Sequence, residues 1–319
     1  MSLKTKKFMS RFALSLFFLF LLFAILNIGI VRATVYISSD GTINPSDAPI
    51  ERDGDIYSLT DDIDVLVVSG GNITIDGHGN KINGGEDSAV RLLNVNNVTL
   101  KNCIITAGDY VPLQVGIVLD NSSNCVISGN LITATQHVNP KFWATSAIYV
   151  GRGGSHVLSG NYLTNNQVGI HFSSDTMNNT IVGNNIENNS IFGIEILRAS
   201  SNSIFNNNFI NNTRHVFDYG IPYPEEVPPS VNIWDNGVTG NYWSNYTGQD
   251  TNGDNIGDSP HFIYENNQDN YPLMTPLDIT VIPEFSSWTP LLIMLVAVVA
   301  VTVIYRHNLT KQNQGMADN

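Results

Sequence analysis

Residues 155–163 read SHVLSGNYL, residues 178–186 read NNTIVGNNI and residues 201–209 read SNSIFNNNF. The three lines share one pattern, and each begins 23 residues after the one before. A fixed period of this kind marks one structural unit stacked on the next, because a single unit cannot bury its own apolar face. The unit is β-type: Ile, Leu, Val and Phe alternate with polar residues, and Asn and Gly interrupt the short runs. The stretch therefore predicts one coil of a parallel β-helix per repeat.

Carried backwards, the register starts coils at Asn72, Asn97, Asn124, Ser155, Asn178 and Ser201, with spacings of 25, 27, 31, 23 and 23. Three residues in stand Ile75, Leu100, Ile127, Leu158, Ile181 and Ile204. Eight residues in stand Ile105, Ile132, Leu163, Ile186 and Phe209. A later strand supplies Val90, Ile117, Ile148, Ile170, Ile194 and Val216, with Leu92, Leu119, Val150, Phe172 and Ile196 two residues on. Strands stacked about 4.8 Å apart turn these columns into continuous apolar ladders. A polar column, Asn130, Asn161, Asn184 and Asn207, follows Gly129, Gly160 and Gly183 in its first three coils. Gly and Asn tolerate the left-handed backbone of a sharp turn, and stacked Asn amides hydrogen-bond along a pile. Asp76-Gly77-His78-Gly79 is assigned to a turn in that same column.

The ends differ in character. Residues 12–30 are apolar and follow Lys4, Lys6, Lys7 and Arg11, the pattern of a signal peptide with a cleavage site near Ala33; an uncleaved anchor is the alternative. A second apolar run, 288–305, ends in Arg306 and is long enough to span a bilayer. The reading divides the chain into a signal peptide (1–33), an N-terminal β cap (34–71), coils (72–220), a C-terminal cap (221–275), a linker (276–286), a transmembrane helix (287–305) and a cytoplasmic tail (306–319). Residues 34–286 then lie outside the cell, tethered to the membrane. They carry eight basic and 27 acidic side chains, a net of −19. Such a surface repels phosphate backbones and argues against nucleic acid. Cys103 and Cys125 fall in different columns and are expected as isolated thiols.

The coils, with Gly240-Asn241-Tyr242-Trp243-Ser244-Asn245-Tyr246, then 250–260, then Asn270-Tyr271-Pro272-Leu273, resemble the NosD-like family within the carbohydrate-binding and sugar-hydrolase β-helices. The resemblance covers roughly residues 72–274 and implies a right-handed, single-stranded parallel β-helix. It also implies an association with maturation of a copper enzyme. Soft copper sites use Cys, Met and His. The exterior segment offers Met177, Met274, two separated cysteines and six dispersed histidines, so no copper role is carried over. Pro283-Glu284-Phe285 before the apolar run resembles the PEF type of archaeal C-terminal sorting signal, although His307 and a polar tail depart from it.

Three places attract a functional reading. Asp250, Asn252, Asp254 and Asp258, with the Ile256 carbonyl, follow the spacing of a calcium loop, but His261 stands where a bidentate acid belongs. The 27- and 31-residue coils carry insertions bearing Asp109, Tyr110, His137, Lys141, Phe142 and Trp143. Of these, Tyr110, His137, Phe142 and Trp143 make an aromatic and polar set suited to sugar faces. Arg91, Tyr149, His171 and Glu195 share the outward face of the later strand and are expected as a solvated surface. The leading expectation is a surface-anchored, non-catalytic β-helix binding polysaccharide or envelope components. A polysaccharide lyase or hydrolase, and a purely structural envelope element, are the alternatives.

Overall fold

A computed structural model describes residues 34–84, 88–107, 115–133, 145–173, 176–222, 224 and 228–279. The insertion residues Asp109, Tyr110, His137, Lys141, Phe142 and Trp143 lie outside the described residues, as do the apolar runs at 12–30 and 288–305. Among the described residues no helix is long and apolar enough to cross a membrane.

The coils stack as expected, in sheets of nine, eight and seven strands with a small three-stranded sheet at one corner. Ile75, Leu100, Ile127, Leu158, Ile181 and Ile204 pair in sequence along the eight-stranded sheet. Ile105, Ile132, Leu163, Ile186 and Phe209 do so along the seven-stranded sheet. Val90, Ile117, Ile148, Ile170, Ile194 and Val216 form the matching ladder of the nine-stranded sheet. All of these side chains are buried in one continuous core. The result is an all-β parallel solenoid.

The backbone turns where the asparagines stand. In the regular coils the corners fall at Ser155, Gly160, Asn165, then Asn178, Gly183, Asn188, then Ser201, Asn206, Asn211, all with φ between 51° and 65°. Only Gly and, at modest cost, Asn and a few others adopt this left-handed conformation. The residue after each corner turns inward and is buried: His156, Asn161 and Asn166, then Asn179, Asn184 and Asn189, then Asn202, Asn207 and Asn212. Each coil is thus three left-handed-then-inward doublets, five residues apart.

The inward amides form three ladders. In the first, Nδ2 of Asn130, Asn161, Asn184 and Asn207 each donates to Oδ1 of the next, ending on Asn241, at 2.9–3.0 Å. The Asn241 N–H then donates to Asp269 Oδ2 at 2.7 Å. A second runs Asn179, Asn202, Asn232 and ends on Asn267. A third joins Asn166, Asn189 and Asn212. Cys103 and Cys125 occupy the N-terminal rungs of the first two, donating their N–H groups to Asn130 Oδ1 and His156 Nδ1. Both thiols are free and buried, and burial raises the pKa of each. One placement is corrected: the register sets Asp76 opposite Lys101 within a strand, and the residue opposite Cys103 in that coil is Asn80.

Each end of the stack is closed differently. The strands Val35–Ile37, Ile56–Leu59 and Leu66–Val68 join the sheets in parallel, and Ile43–Asn44 and Ile50–Asp53 lie against them antiparallel. At the other end the hairpin His261–Tyr264 and Asn267–Asp269 supplies the last rungs of two ladders. There the Trp234 and Trp243 indoles donate to Asn267 Oδ1 and Asp269 Oδ2. The chain then doubles back. The Leu277 N–H donates to Asn208 Oδ1, Asn208 Nδ2 donates to the Leu277 carbonyl, and Asn185 Nδ2 donates to the Ile279 carbonyl. The first residues of the expected linker are therefore strapped to the outside of the seven-stranded sheet.

Candidate ligand-binding face

The outer side of the nine-stranded sheet is where polar and aromatic chemistry gathers. Register aligns Arg91, Val118, Tyr149, His171, Glu195 and Phe217 as one outward column. The expectation of a solvated surface is corrected at its centre. His171 is 6% exposed and Glu195 2%. The cause is lateral stacking. The Tyr149 ring lies on His171, with centroids 5.2 Å apart and planes 10° from parallel. His171 Nδ1 sits 2.5 Å from Glu195 Oε2, and the Tyr219 hydroxyl donates to Glu195 Oε1 at 2.9 Å. A carboxylate only accepts, so Nδ1 carries the shared hydrogen. Among the described residues nothing bonds Nε2, and the side chain keeps 8% of its surface open.

Aromatic rings extend the face beyond the pair. Phe217 stacks on Phe192 at 4.7 Å with planes 8° apart and meets Tyr219 edge-on. The Arg214 guanidinium lies 5.2 Å from the Phe217 ring centre. Tyr149, Phe192, Phe217 and Tyr219 are each half-buried, which leaves ring surface accessible. Beside the column, Arg152 grips Asp120 through Nη2 at 3.1 Å, and this pair, with the Arg152 backbone N–H, outweighs burial and lowers the Asp120 pKa. Sequence reasoning reached Tyr149, His171 and Glu195 but not Phe192, Phe217, Tyr219 or Arg214. Phe217 lay one rung further along the same column, and that register was the available signal.

The other expected sites resolve differently. The calcium reading of Asp250, Asn252, Asp254, Ile256 and Asp258 finds no support. The loop spends its carboxylates on its own backbone. Asp250 accepts from the N–H groups of Gly253 and Asn255, Asp254 from Ile256, and Asp258 from Thr251. Among the described residues no three His, Cys, Asp or Glu side chains gather around a common point. Asp76 is held by Lys101 at 2.9 Å and by Asn102. Burial works to raise its pKa, but these partners and the His78 N–H lower it on balance. Ser244, His215 and Asn212 form a chain that superficially suits a nucleophile. Asn212 donates to Nδ1, which places the imidazole hydrogen on Nε2, facing Ser244 Oγ. That tautomer donates to the serine and cannot accept its proton.

The family described as "Periplasmic copper-binding protein (NosD)" matches residues 26–248. No curated protein matches the chain. Among solved structures, the enzymatically active domain of bacteriophage CBA120 tailspike protein 2 is similar at 14% identity and a TM-score of 0.30. The match covers 66% of this chain and 34% of that one, so the chain spans about a third of the tailspike domain's length. The copper in the family's description can be set against the residues present. The two thiols are buried in separate ladders. His215 and His261 flank Trp243, but they are only two imidazoles, and no third ligand of the kind joins them among the described residues. Burial lowers the pKa of both, to about 4 for His215, where the His261 charge adds to the effect. The described donors do not assemble a copper site.

Proposed function

Because the chain belongs to the NosD family, a family of parallel β-helices, we propose that it is an exported scaffold, held at the cell surface by its C-terminal apolar run, that binds glycan without cleaving it. The observation that carries this reading is the strip of half-buried rings on the outer face of the nine-stranded sheet. Sugars present C–H groups on the faces of their rings, and flat aromatic surfaces with polar groups alongside suit them. Tyr149, Phe192, Phe217 and Tyr219 supply the surfaces, and His171 and Arg214 the polar edge. The family's description as periplasmic fits export, and the apolar runs at 12–30 and 288–305 fit a secreted, tethered chain. The insertions bearing Tyr110, His137, Phe142 and Trp143 precede in sequence the strands Ile117–Asp120 and Ser146–Val150 of this sheet.

The way the acids of this sheet are used supports binding without cleavage. Glycoside hydrolysis needs two carboxyl groups about 5–9.5 Å apart across the scissile bond. The strands of this sheet contain three acids. Asp120 pairs with Arg152, Glu195 with His171 and Tyr219, and Asp218 accepts from the Gly220 and Ser230 N–H groups. Each is committed to a partner. The test is retention of the exterior segment on immobilised polysaccharides, with chromatography of the supernatant for released sugars. Phe217→Ala, which touches only the outer face, is expected to weaken retention about three- to ten-fold with an unchanged melting temperature. Released oligosaccharides would identify an enzyme instead, and equal retention of the variant would remove the aromatic strip from the site.

A further inference from the structure

Charge narrows the ligand class. The exterior segment is acidic, yet four of its seven described basic side chains stand in strands of the nine-stranded sheet or within two residues of their ends. They are Arg91, Arg152, Arg198 and Arg214. Arg91 is in Val90–Leu93 and Arg214 opens Arg214–Asp218. Arg152 and Arg198 each follow by two residues the strands Ser146–Val150 and Phe192–Ile196. The three acids of these strands are already engaged, as set out above. Arg198 and Arg214 are exposed, and among the described residues neither has an acid within ion-pair distance. Among the described residues, Arg198 and Arg214 thus carry positive charge with no acid paired to it, on a protein that is otherwise strongly negative.

The buried pair adds a second element. Glu195 takes the hydrogen of His171 Nδ1 and is itself fixed from the other side by Tyr219. Two outward residues would not ordinarily be buried and locked in this way, because burying polar side chains has a cost that only close hydrogen bonding offsets. The arrangement fixes the ring and with it the direction of one atom, Nε2. It lies between the Tyr149 ring and the Phe192–Phe217 stack, in a column spanning about 14 Å from Tyr149 to Phe217.

We propose that this face binds an acidic glycan, a chain of uronate-type sugars. Arg198 and Arg214 meet its carboxylates, the Tyr149 and Phe217 rings meet sugar faces, and His171 Nε2 hydrogen-bonds a sugar hydroxyl. Glu195 is a positioning residue that acts through His171. The proposal rests on the carbohydrate reading of this face and adds the charge of the ligand and the atoms that read it.

The experiment is calorimetric titration of the exterior segment with oligogalacturonate, a neutral glucan oligomer of equal length and single-stranded DNA, at low and high salt. The uronate is expected to bind about ten-fold more tightly than the glucan, and the advantage should shrink in high salt, which screens exposed charges. Arg198→Gln and Arg214→Gln should each weaken uronate binding about two- to five-fold, with smaller losses for the glucan. In Glu195→Gln, Tyr219 keeps the amide oxygen and the amide NH2 faces Nδ1, so the imidazole hydrogen moves to Nε2. The ¹⁵N shift of His171 Nδ1 should then change from N–H to acceptor, and both glycans should weaken about three- to ten-fold. A merely structural Glu195 would give the same tautomer change with glycan binding unaltered. Binding of the glucan as tight as the uronate overturns this proposal and leaves the carbohydrate reading standing. Binding of neither sugar overturns both. DNA as tight as the uronate reduces the face to a charge-and-stacking surface and also overturns the proposal.

Discussion

Single residues carry an unusual share of this fold, and the inward amides show why. Asn184 Oδ1 accepts from both the N–H and the Nδ2 of Asn161, while its own Nδ2 reaches the Leu158 carbonyl and Asn207 Oδ1. Asn184→Ala leaves these buried groups without partners, at about 1–3 kcal/mol each before relaxation. A loss on the order of 3–5 kcal/mol is expected in urea unfolding. A loss under about 1 kcal/mol would mean that water replaces the amide. His156 tests the same column in another way. It stands where Asn stands in later coils, and Nδ1 accepts the Cys125 N–H, but Nε2 is buried with no partner. Burial holds its pKa down to about 4, with the Ser122 backbone working weakly against this. A base depressed on folding contributes stability above its unfolded pKa, near 6.5, and loses it as pH falls through 4. His156→Asn is expected to keep the fold and to remove on the order of 3 kcal/mol of acid sensitivity across that window. An unchanged pH dependence of the melting temperature would refute the assignment.

At the scale of elements, the strands were legible in the sequence and the corners only in part. Apolar side chains recur at fixed register because parallel strands pair residue by residue, so Ile181 could be placed beside Leu158 and Ile204 from spacing alone. The column of Asn130, Asn161, Asn184 and Asn207 was legible because Gly marks most of its corners. The ladder through Asn179 and Asn202 was less visible, since Asn178 and Ser201, not Gly, precede those rungs. The doublet of a left-handed residue and an inward Asn, every five residues, is the underlying signal. The strap at 277–279 left no such trace. Its partners Asn185 and Asn208 face outward, and nothing local in the sequence distinguishes them from solvated residues. Asn208 holds the strap with both amide atoms and also donates to Asn185 Oδ1 at 2.6 Å. Asn208→Ala is expected to raise hydrogen exchange at the Leu277 amide at least ten-fold while exchange in the coil cores stays unchanged. Equal protection in the variant would show that the strap is held by something else.

For the whole molecule, the candidate face was hard to see because burial on an outward surface depends on neighbours several coils apart. Tyr149, His171 and Glu195 are 22 and 24 residues apart in the chain and read as isolated polar positions. Only stacking makes His171 and Glu195 a closed pair. The same long-range stacking shifts titrations at distant points of the solenoid. His156, at a corner, and His215, in the strand Arg214–Asp218, are both held down to about 4, chiefly by burial. Asp269, the last rung of the first ladder, is pushed up to about 6 by burial, against the N–H groups of Asn241, Trp243 and Tyr271. The signs oppose one another. The histidines favour the fold above about 6.5 and withdraw that support towards pH 4. An acid raised on folding contributes fully below its unfolded pKa, 3.8, and loses the contribution as pH rises through 6. Between pH 6.5 and 4 the histidine loss is therefore partly offset by Asp269, and a net fall on the order of 3 kcal/mol is expected. Asp269→Asn removes the offset. It should steepen the decline of the melting temperature with acid, even though its amide can no longer accept from every N–H that the carboxylate serves. If the variant's profile between pH 4 and 6.5 runs parallel to the wild type, Asp269 does not titrate in that window and the ladder ends on an ordinary ionised carboxylate.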